Sequence, residues 1–339
     1  MKISLIGMGF GGEDALTGQA KEALLHAQLI IGAPRLTESL SETVRSRAEI
    51  FESIQTKEIA RRISGFQGTR VCVLFSGDTG FYSGARLLEK ALLEIGEYEY
   101  EYCPGISSVQ MLAAKLHRPW QDWKLISAHG VSCCAAAEID EARPTFFLTG
   151  GTLSAQEICR QLTQAGMGAL EVTAGQELFT PRERVITASA AELSKETFPS
   201  LTVLLAEPFE KPFCHAGMPD DSFIRGKTPM TKQEVRAAIM AKLALRPEEI
   251  VWDVGAGTGS VSVEMARAAF RGKAYAIERN EEACALIEQN KQKFAAWNLH
   301  IQKGKAPDAL SELPAPDAVF IGGSGGNMKE IIRLVYEKN

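Results

Sequence analysis

A chain of 339 residues exceeds the size at which one hydrophobic core keeps growing, so two domains are expected. With 45% hydrophobic and 23% charged residues and a formal net charge of -5, it has the make-up of a soluble globular protein without the basic surplus that nucleic acid or anionic lipid calls for. No run approaches the roughly 18 apolar residues of a membrane span, and Met1-Lys2 leads straight into a strand-like run, so a cytoplasmic protein acting on a small molecule is expected.

Taken in order, short β-branched and apolar runs at 3–6, 29–32, 71–75, 99–103, 145–149 and 201–206 alternate with helical stretches, which predicts α/β architecture. The first run opens into Gly7-Met8-Gly9-Phe10-Gly11-Gly12, where Gly7, Gly9 and Gly12 satisfy G-x-G-x-x-G. The second run ends near Gly32 without an acid to hold a ribose, so a dinucleotide site is not supported. Asp78-Thr79-Gly80 has the form of an aspartic-protease triplet, but that chemistry needs two carboxylates sharing a proton and no second triplet occurs. His129-Gly130 follows an apolar stretch, and the imidazole there suits a proton acceptor, a donor to a substrate carboxylate or a purely structural group.

Cysteines stand at 72, 103, 133, 134, 159, 214 and 284, an odd count without C-x-x-C spacing. Neither a metal site nor a disulfide framework is expected; the thiols should be reduced and mostly buried, and the adjacent Cys133-Cys134 carries no role.

Pro208, Pro212, Gly217 and Pro219 break the periodicity, and a linker is placed at 209–226 between domains 1–208 and 227–339. A second α/β series follows: helix 233–245, strand 250–254, helix 260–270, strand 274–277, helix 281–294, and strands at 300–302 and 318–322, the order of a doubly wound parallel sheet.

In that series Asp253-Val254-Gly255-Ala256-Gly257-Thr258-Gly259-Ser260 sets a glycine turn between a buried strand and a helix start, where backbone can approach a ligand closely. Glu278 closes the next strand 278 − 257 = 21 residues after the central glycine, the offset at which a carboxylate meets ribose hydroxyls. Position 260 is Ser, so the third dinucleotide glycine is missing and the balance moves from NAD to S-adenosylmethionine (SAM).

This half resembles the class I methyltransferases, a Rossmann-like fold. Within them Met218-Pro219-Asp220-Asp221, the 223–236 stretch, Lys305-Ala306-Pro307-Asp308-Ala309 and the glycines at 322–326 are similar to the decarboxylating C15-methyltransferases of corrin synthesis. The resemblance implies that Thr231, Gly255, Ala256, Gly257, Thr258 and Gly259 contact SAM. It also implies that Glu278 takes the ribose, that Ala306 lies by the adenine, and that Gly323, Ser324 and Gly325 border a tetrapyrrole. Read from the residues alone, Thr231 is equally an N-cap with Glu234 three residues on, a capping box. The class I sheet continues with three more strands beyond its fourth, so by the same resemblance this domain is incomplete at its C-terminus and its fourth strand is an edge.

The ordered set Gly7-Met8-Gly9, Leu16-Thr17, Gly77-Asp78-Thr79-Gly80-Phe81, Pro104-Gly105-Ile106-Ser107-Ser108, Glu177-Leu178 and Glu183-Arg184 resembles the tetrapyrrole methylases, most of all the C5-methyltransferases of corrin synthesis. The family is two-lobed (class III) and binds SAM between α/β lobes. The resemblance implies a donor site at Gly77, Asp78, Thr79, Gly80, Ser107 and Ser108, with Gly7, Gly9 and Gly12 facing the tetrapyrrole. Together the two resemblances imply methylation of a corrin precursor at C5 and C15 with loss of the C12 acetate carboxyl, in cobalamin biosynthesis. They name no catalytic acid or base and no metal, and homo-oligomers are common among such enzymes. A second reading keeps only the C5 reaction and makes the C-terminal half a binding module.

Overall fold

The structure, a computed structural model, describes residues 1–130, 133–151, 153–210 and 215–338. Pro212 and Cys214, which belong to the expected linker and thiol set, lie outside the described residues.

Strands β1 (Lys2–Gly7), β2 (Leu29–Gly32), β3 (Glu49–Glu52), β4 (Arg70–Phe75) and β5 (Glu99–Cys103) form a parallel sheet in the order β3-β2-β4-β1-β5. β1, β2 and β4 are buried along nearly their whole length, as a sheet covered by helices on both faces requires. Side chains alternate between two cores: Ile3, Leu5, Leu29, Ile31, Val71 and Val73 on one face, Ile6, Ile30, Cys72, Leu74 and Cys103 on the other. Each such aliphatic burial contributes about 1.5–3 kcal/mol.

The second sheet, β6 (Lys124–Ser127), β7 (Thr145–Leu148), β8 (Glu171–Gln176), β9 (Arg184–Ser189) and β10 (Thr202–Ala206), has the order β6-β7-β10-β8-β9. Only β6 and β7 pair parallel; β10 runs antiparallel to both of its neighbours, and β9 to β8. The third sheet is parallel, in the order β13-β12-β11-β14, from β11 (Ile250–Val254), β12 (Lys273–Glu278), β13 (Leu299–Lys303) and β14 (Ala318–Ile321). The helices that matter below are α1 (Ser108–Leu116), α2 (Gln233–Leu243), α3 (Ser260–Ala268), α4 (Glu281–Lys293) and α5 (Met328–Lys338).

Residues 217–223 are tied down. The backbone N–H groups of Gly217 and Met218 donate to the Glu264 carboxylate on α3, at 2.8 and 3.1 Å. The same carboxylate accepts from Arg236 Nε on α2 at 2.9 Å, and both side chains are fully buried. The rest of the guanidinium is satisfied by Asp220 and by the carbonyls of Thr231 and Met218, so no buried donor of this charged pair goes unpaired.

Trp297 joins the second and third sheets. From the turn after α4 it packs against the core that holds Phe147, Ala165, Met167 and Leu204, and the Arg267 guanidinium lies over its ring at 5.2 Å.

Candidate functional site

The sequence places loops at the carboxyl ends of β1, β4 and β5, and the fold brings them into backbone contact. Gly9 and Gly77 exchange two hydrogen bonds, each 3.0 Å, as an isolated antiparallel bridge. A Cβ on Gly7 would stand 2.7 Å from Gly105 N and from Gly77 O, and one on Gly105 2.3 Å from Gly77 O, so the three loops can meet here only because Gly7 and Gly105 lack side chains. Asp78 fixes the junction: Oδ1 accepts the Gly80 N–H at 2.8 Å and Oδ2 accepts the Gly105 N–H at 3.0 Å.

Facing this junction across a cavity of about 290 Å³ are the ends of the second sheet's strands. Gly9, Phe10, Gly77, Asp78, Ser107 and Ser108 form one wall; His129, Thr149, Glu177, Leu178 and residues 200–203 form the other. Ser107 is the N-cap of α1, its N–H and hydroxyl both donated to Gln110 Oε1, and Ser107, Ser108 and Met111 line the cavity. His129 Nδ1 lies 3.3 Å from the Thr149 carbonyl. Glu177, in a left-handed conformation, pairs with Arg182 at 2.7 Å.

Of the expected donor-site residues, Gly77, Asp78, Ser107 and Ser108 line this cavity, whereas Thr79 and Gly80 line an adjoining open hollow with Ser83, Arg86 and Tyr102. Tyr82 borders both. Of the three glycines expected to face substrate, Gly9 reaches the cavity, Gly7 is spent on loop packing, and Gly12 has open space where a side chain would stand. Arg35, which no motif of the sequence singles out, lines the cavity without an ion-pair partner among the described residues. A signal for it does exist: Gly32-Ala33-Pro34-Arg35 leaves a buried strand at the same carboxyl edge.

In the third sheet, Gly255, Gly257 and Gly259 all take positive φ (77°, 58° and 77°) between β11 and α3. A Cβ on Gly255 would stand 2.6 Å from the backbone N of Gly323, so the turn after β11 and the loop after β14 lie backbone to backbone. Glu278 accepts the Gly257 N–H at 2.9 Å, and its other oxygen accepts the Arg279 and Asn280 N–H groups at 2.8 and 2.9 Å. The acid is therefore held rigidly beneath the turn, with lone pairs to spare for ligand hydroxyls.

Asp253 is 2% exposed; Oδ2 accepts the Ser262 hydroxyl and Oδ1 has no partner among the described residues. Burial, opposed by the Ser262 hydrogen bonds and helped by the Glu278 charge, pushes its carboxyl up to about 7. Ala306 is buried in the core between the third sheet and α5, and its carbonyl accepts from Asn327 Nδ2 at 3.1 Å, which links the 304–307 segment to the 322–327 loop.

One expectation is corrected. Thr231 is not the N-cap of α2: that position is Lys232, and no side chain caps the helix. The Thr231 carbonyl instead accepts from the buried Arg236, which holds the segment one residue out of capping register. The 228–230 backbone lies over the glycine turn, with Pro229 O 3.3 Å from where a Gly257 Cβ would stand. The thiols also differ in part from expectation: Cys72, Cys103 and Cys159 are buried, Cys133 and Cys284 half-buried, and Cys134 exposed. Among the described residues there is no helix long and apolar enough to cross a membrane, and no cluster of His, Cys, Asp or Glu able to hold a metal.

The sequence profile of the tetrapyrrole (corrin/porphyrin) methylases matches residues 2–194, and that of the precorrin methyltransferase domain matches 221–338. A precorrin-6Y C(5,15)-methyltransferase [decarboxylating] of Sinorhizobium sp is 30% identical over 95% of this chain and 78% of its own length. The C-terminal part is 43% identical to a probable cobalt-precorrin-6B C(15)-methyltransferase (decarboxylating) of Pyrobaculum calidifontis, over 38% of this chain and 67% of that protein. It is 46% identical to the cobalt-precorrin-6B C(15)-methyltransferase (decarboxylating) of Salmonella typhimurium, over 34% and 59%. The solved structure of a cobalt precorrin-4 methyltransferase superposes with a TM-score of 0.51 at 20% identity, covering 61% of this chain and 94% of that one, a likeness of fold alone. With a two-lobed cavity built from the tetrapyrrole-methylase loops and a second glycine turn on a parallel sheet behind it, the chain is a methyltransferase and belongs to the tetrapyrrole methylases, in the precorrin-6Y C(5,15)-methyltransferase family.

Proposed function

We propose that this chain uses SAM to methylate a precorrin-6Y or cobalt-precorrin ring twice, at C5 in the unit 1–208 and at C15, with decarboxylation of the C12 acetate, in the unit 227–339, with 209–226 joining them. The observation that carries the reading is the presence of two separate side-chain-poor sites in one chain. One is bracketed by Asp78 between Gly80 and Gly105, the other is underpinned by Glu278. The residues suit the donor: glycines at positive φ let its body approach the backbone, and Glu278 keeps acceptor capacity for a ribose.

When bound, SAM supplies a methyl group on a cationic sulfur, transferable to an electron-rich ring carbon. The chain's own work is positioning and exclusion of water. In the first unit the Gly9–Gly77 bridge and Asp78 fix one wall, and Phe10, Phe81 and Leu178 keep the cavity apolar. Arg35 offers its guanidinium to a carboxylate on the ring periphery. In the second unit Gly255 through Gly259, with Thr231 and Ala306 at the margins, hold the donor, and Gly323, Ser324 and Gly325 face the ring. The enzyme works on a diffusible tetrapyrrole in the cytoplasm as a homo-oligomer.

Calorimetry of SAM binding to the chain, to Asp78→Ala and to Glu278→Ala tests this. Two sites, one lost in each variant, are expected. A single site abolished by Asp78→Ala alone would leave only the C5 reaction and make the C-terminal half a non-catalytic module.

A further inference from the structure

Beside the glycine turn of the third sheet, two cations converge where no acid answers them. A Cβ built on Gly325 would lie 4.0 Å from Arg279 Nη1 and 3.9 Å from Lys305 Cε. Arg279 leaves the end of β12 directly after Glu278, and Lys305 follows β13. Both are exposed, and neither side chain has a hydrogen-bond or ion-pair partner among the described residues. Like charges drawn to one spot repel, and the chain as a whole is acidic, with a net charge of -5, so the local surplus stands out against its surroundings.

The floor beneath them is side-chain free. Gly325 and Gly326 take positive φ (56° and 93°), and the loop is pinned to the Lys305 segment by the Asn327–Ala306 hydrogen bond. The same loop touches the glycine turn through Gly323, so a ring seated on it lies within reach of both cations and the turn.

We infer that Arg279 and Lys305 form a carboxylate clamp that grips a peripheral acid side chain of the tetrapyrrole in the C-terminal unit; this rests on the substrate reading given above. Guanidinium and ammonium both favour ionised carboxylate, the first through a two-pronged hydrogen-bonding face. The gripped group is one that the ring retains. A carboxylate that departs as carbon dioxide leaves its bonding electron pair with the ring, and cations on its oxygens would stabilise the ground state and slow that loss. Arg279 and Lys305 thus orient the ring so that a different acetate lies in the less charged part of the site.

The test uses the full chain and uroporphyrin, a tetrapyrrole octacarboxylate, as probe, with binding read by tryptophan quenching and SAM binding by calorimetry on the same samples. Arg279→Met/Lys305→Met should remove a class of porphyrin site or weaken it about tenfold or more, leave both SAM sites intact, and make porphyrin binding less sensitive to salt than in the unaltered chain. Arg279→Lys and Lys305→Arg, which keep the charge, should retain most of the affinity. Unchanged porphyrin affinity in the double variant, or no porphyrin binding by the unaltered chain, would overturn the clamp. So would a loss of SAM affinity with porphyrin binding untouched, which would make the two cations part of the donor site. If the unaltered chain shows no SAM site sensitive to Glu278→Ala, the substrate reading itself fails, an outcome separate from failure of the clamp.

Discussion

Asp78 accepts the backbone N–H of Gly105 at 3.0 Å, tying the loop after β4 to the loop after β5 at the floor of the cavity. Its other oxygen holds Gly80, so one carboxylate sets the shape of two loops. Asp78→Ala should cost about 1–3 kcal/mol of stability by leaving those N–H groups without their acceptor, and should weaken donor binding in the N-terminal unit at least tenfold. Thermal denaturation and calorimetry together check this; a variant with native affinity would show that the loops keep their shape without the bracket.

Gly255→Ala should be more severe for the C-terminal site than for the fold. The new methyl group would be driven into the Gly323 backbone at a φ of 77°, costing about 1–3 kcal/mol in strain. We expect loss of one SAM site, with the Asp78-dependent site unchanged. Retention of both sites would mean that the Gly323 loop can move away.

Asp253 gives the C-terminal unit a pH dependence of defined sign. Burial holds its folded-state value at about 7 against an ordinary 3.8. The folded chain keeps the proton where the unfolded chain has released it, so stability from this group is complete below about 4 and is lost as pH rises towards 7. Asp253→Asn, neutral throughout, should flatten that part of the profile. Denaturant midpoints measured from pH 5 to pH 8 decide it: parallel slopes for the two proteins would mean that Asp253 is ionised in the fold.

Glu264→Gln should destabilise the chain by about 1.5–3 kcal/mol, because the buried Arg236 would keep only Asp220 as countercharge and the Gly217 and Met218 N–H groups would lose a charged acceptor. Paired replacement of Arg236 and Glu264 by Met and Leu should cost less than the sum of the two single changes, since each single change leaves the other partner of the pair behind. Additive losses in a double-mutant cycle would show that the two side chains act independently.

What can be read in the sequence follows from where its signals are local. The β11 run and its glycine turn are contiguous, and Glu278 is fixed by an offset, so both are legible from the residues alone. β3, β6, β8 and β9 are not. β3, β6 and β9 are edge strands bounded by Glu, Lys, Ser or Arg, and in β8 Ala174 and Gly175 cut the β-branched run short after Val172 and Thr173. Arg236 reads as an ordinary polar residue of a helix, yet it is fully buried, because its partner lies 28 residues further on. The attachment of Asp78 to Gly105, 27 residues away, is equally invisible, since nothing local distinguishes a carboxylate aimed at a ligand from one aimed at a neighbouring loop.

Trp297 gives the linkage between the units a mechanical meaning. A tether alone would let the third sheet tumble at the end of a string, and the two sites would share only a raised local concentration. With the indole packed against the core of the second sheet, the third sheet has a preferred bearing on the second. On the proposed reading, a ring leaving one site therefore starts from a repeatable position relative to the other.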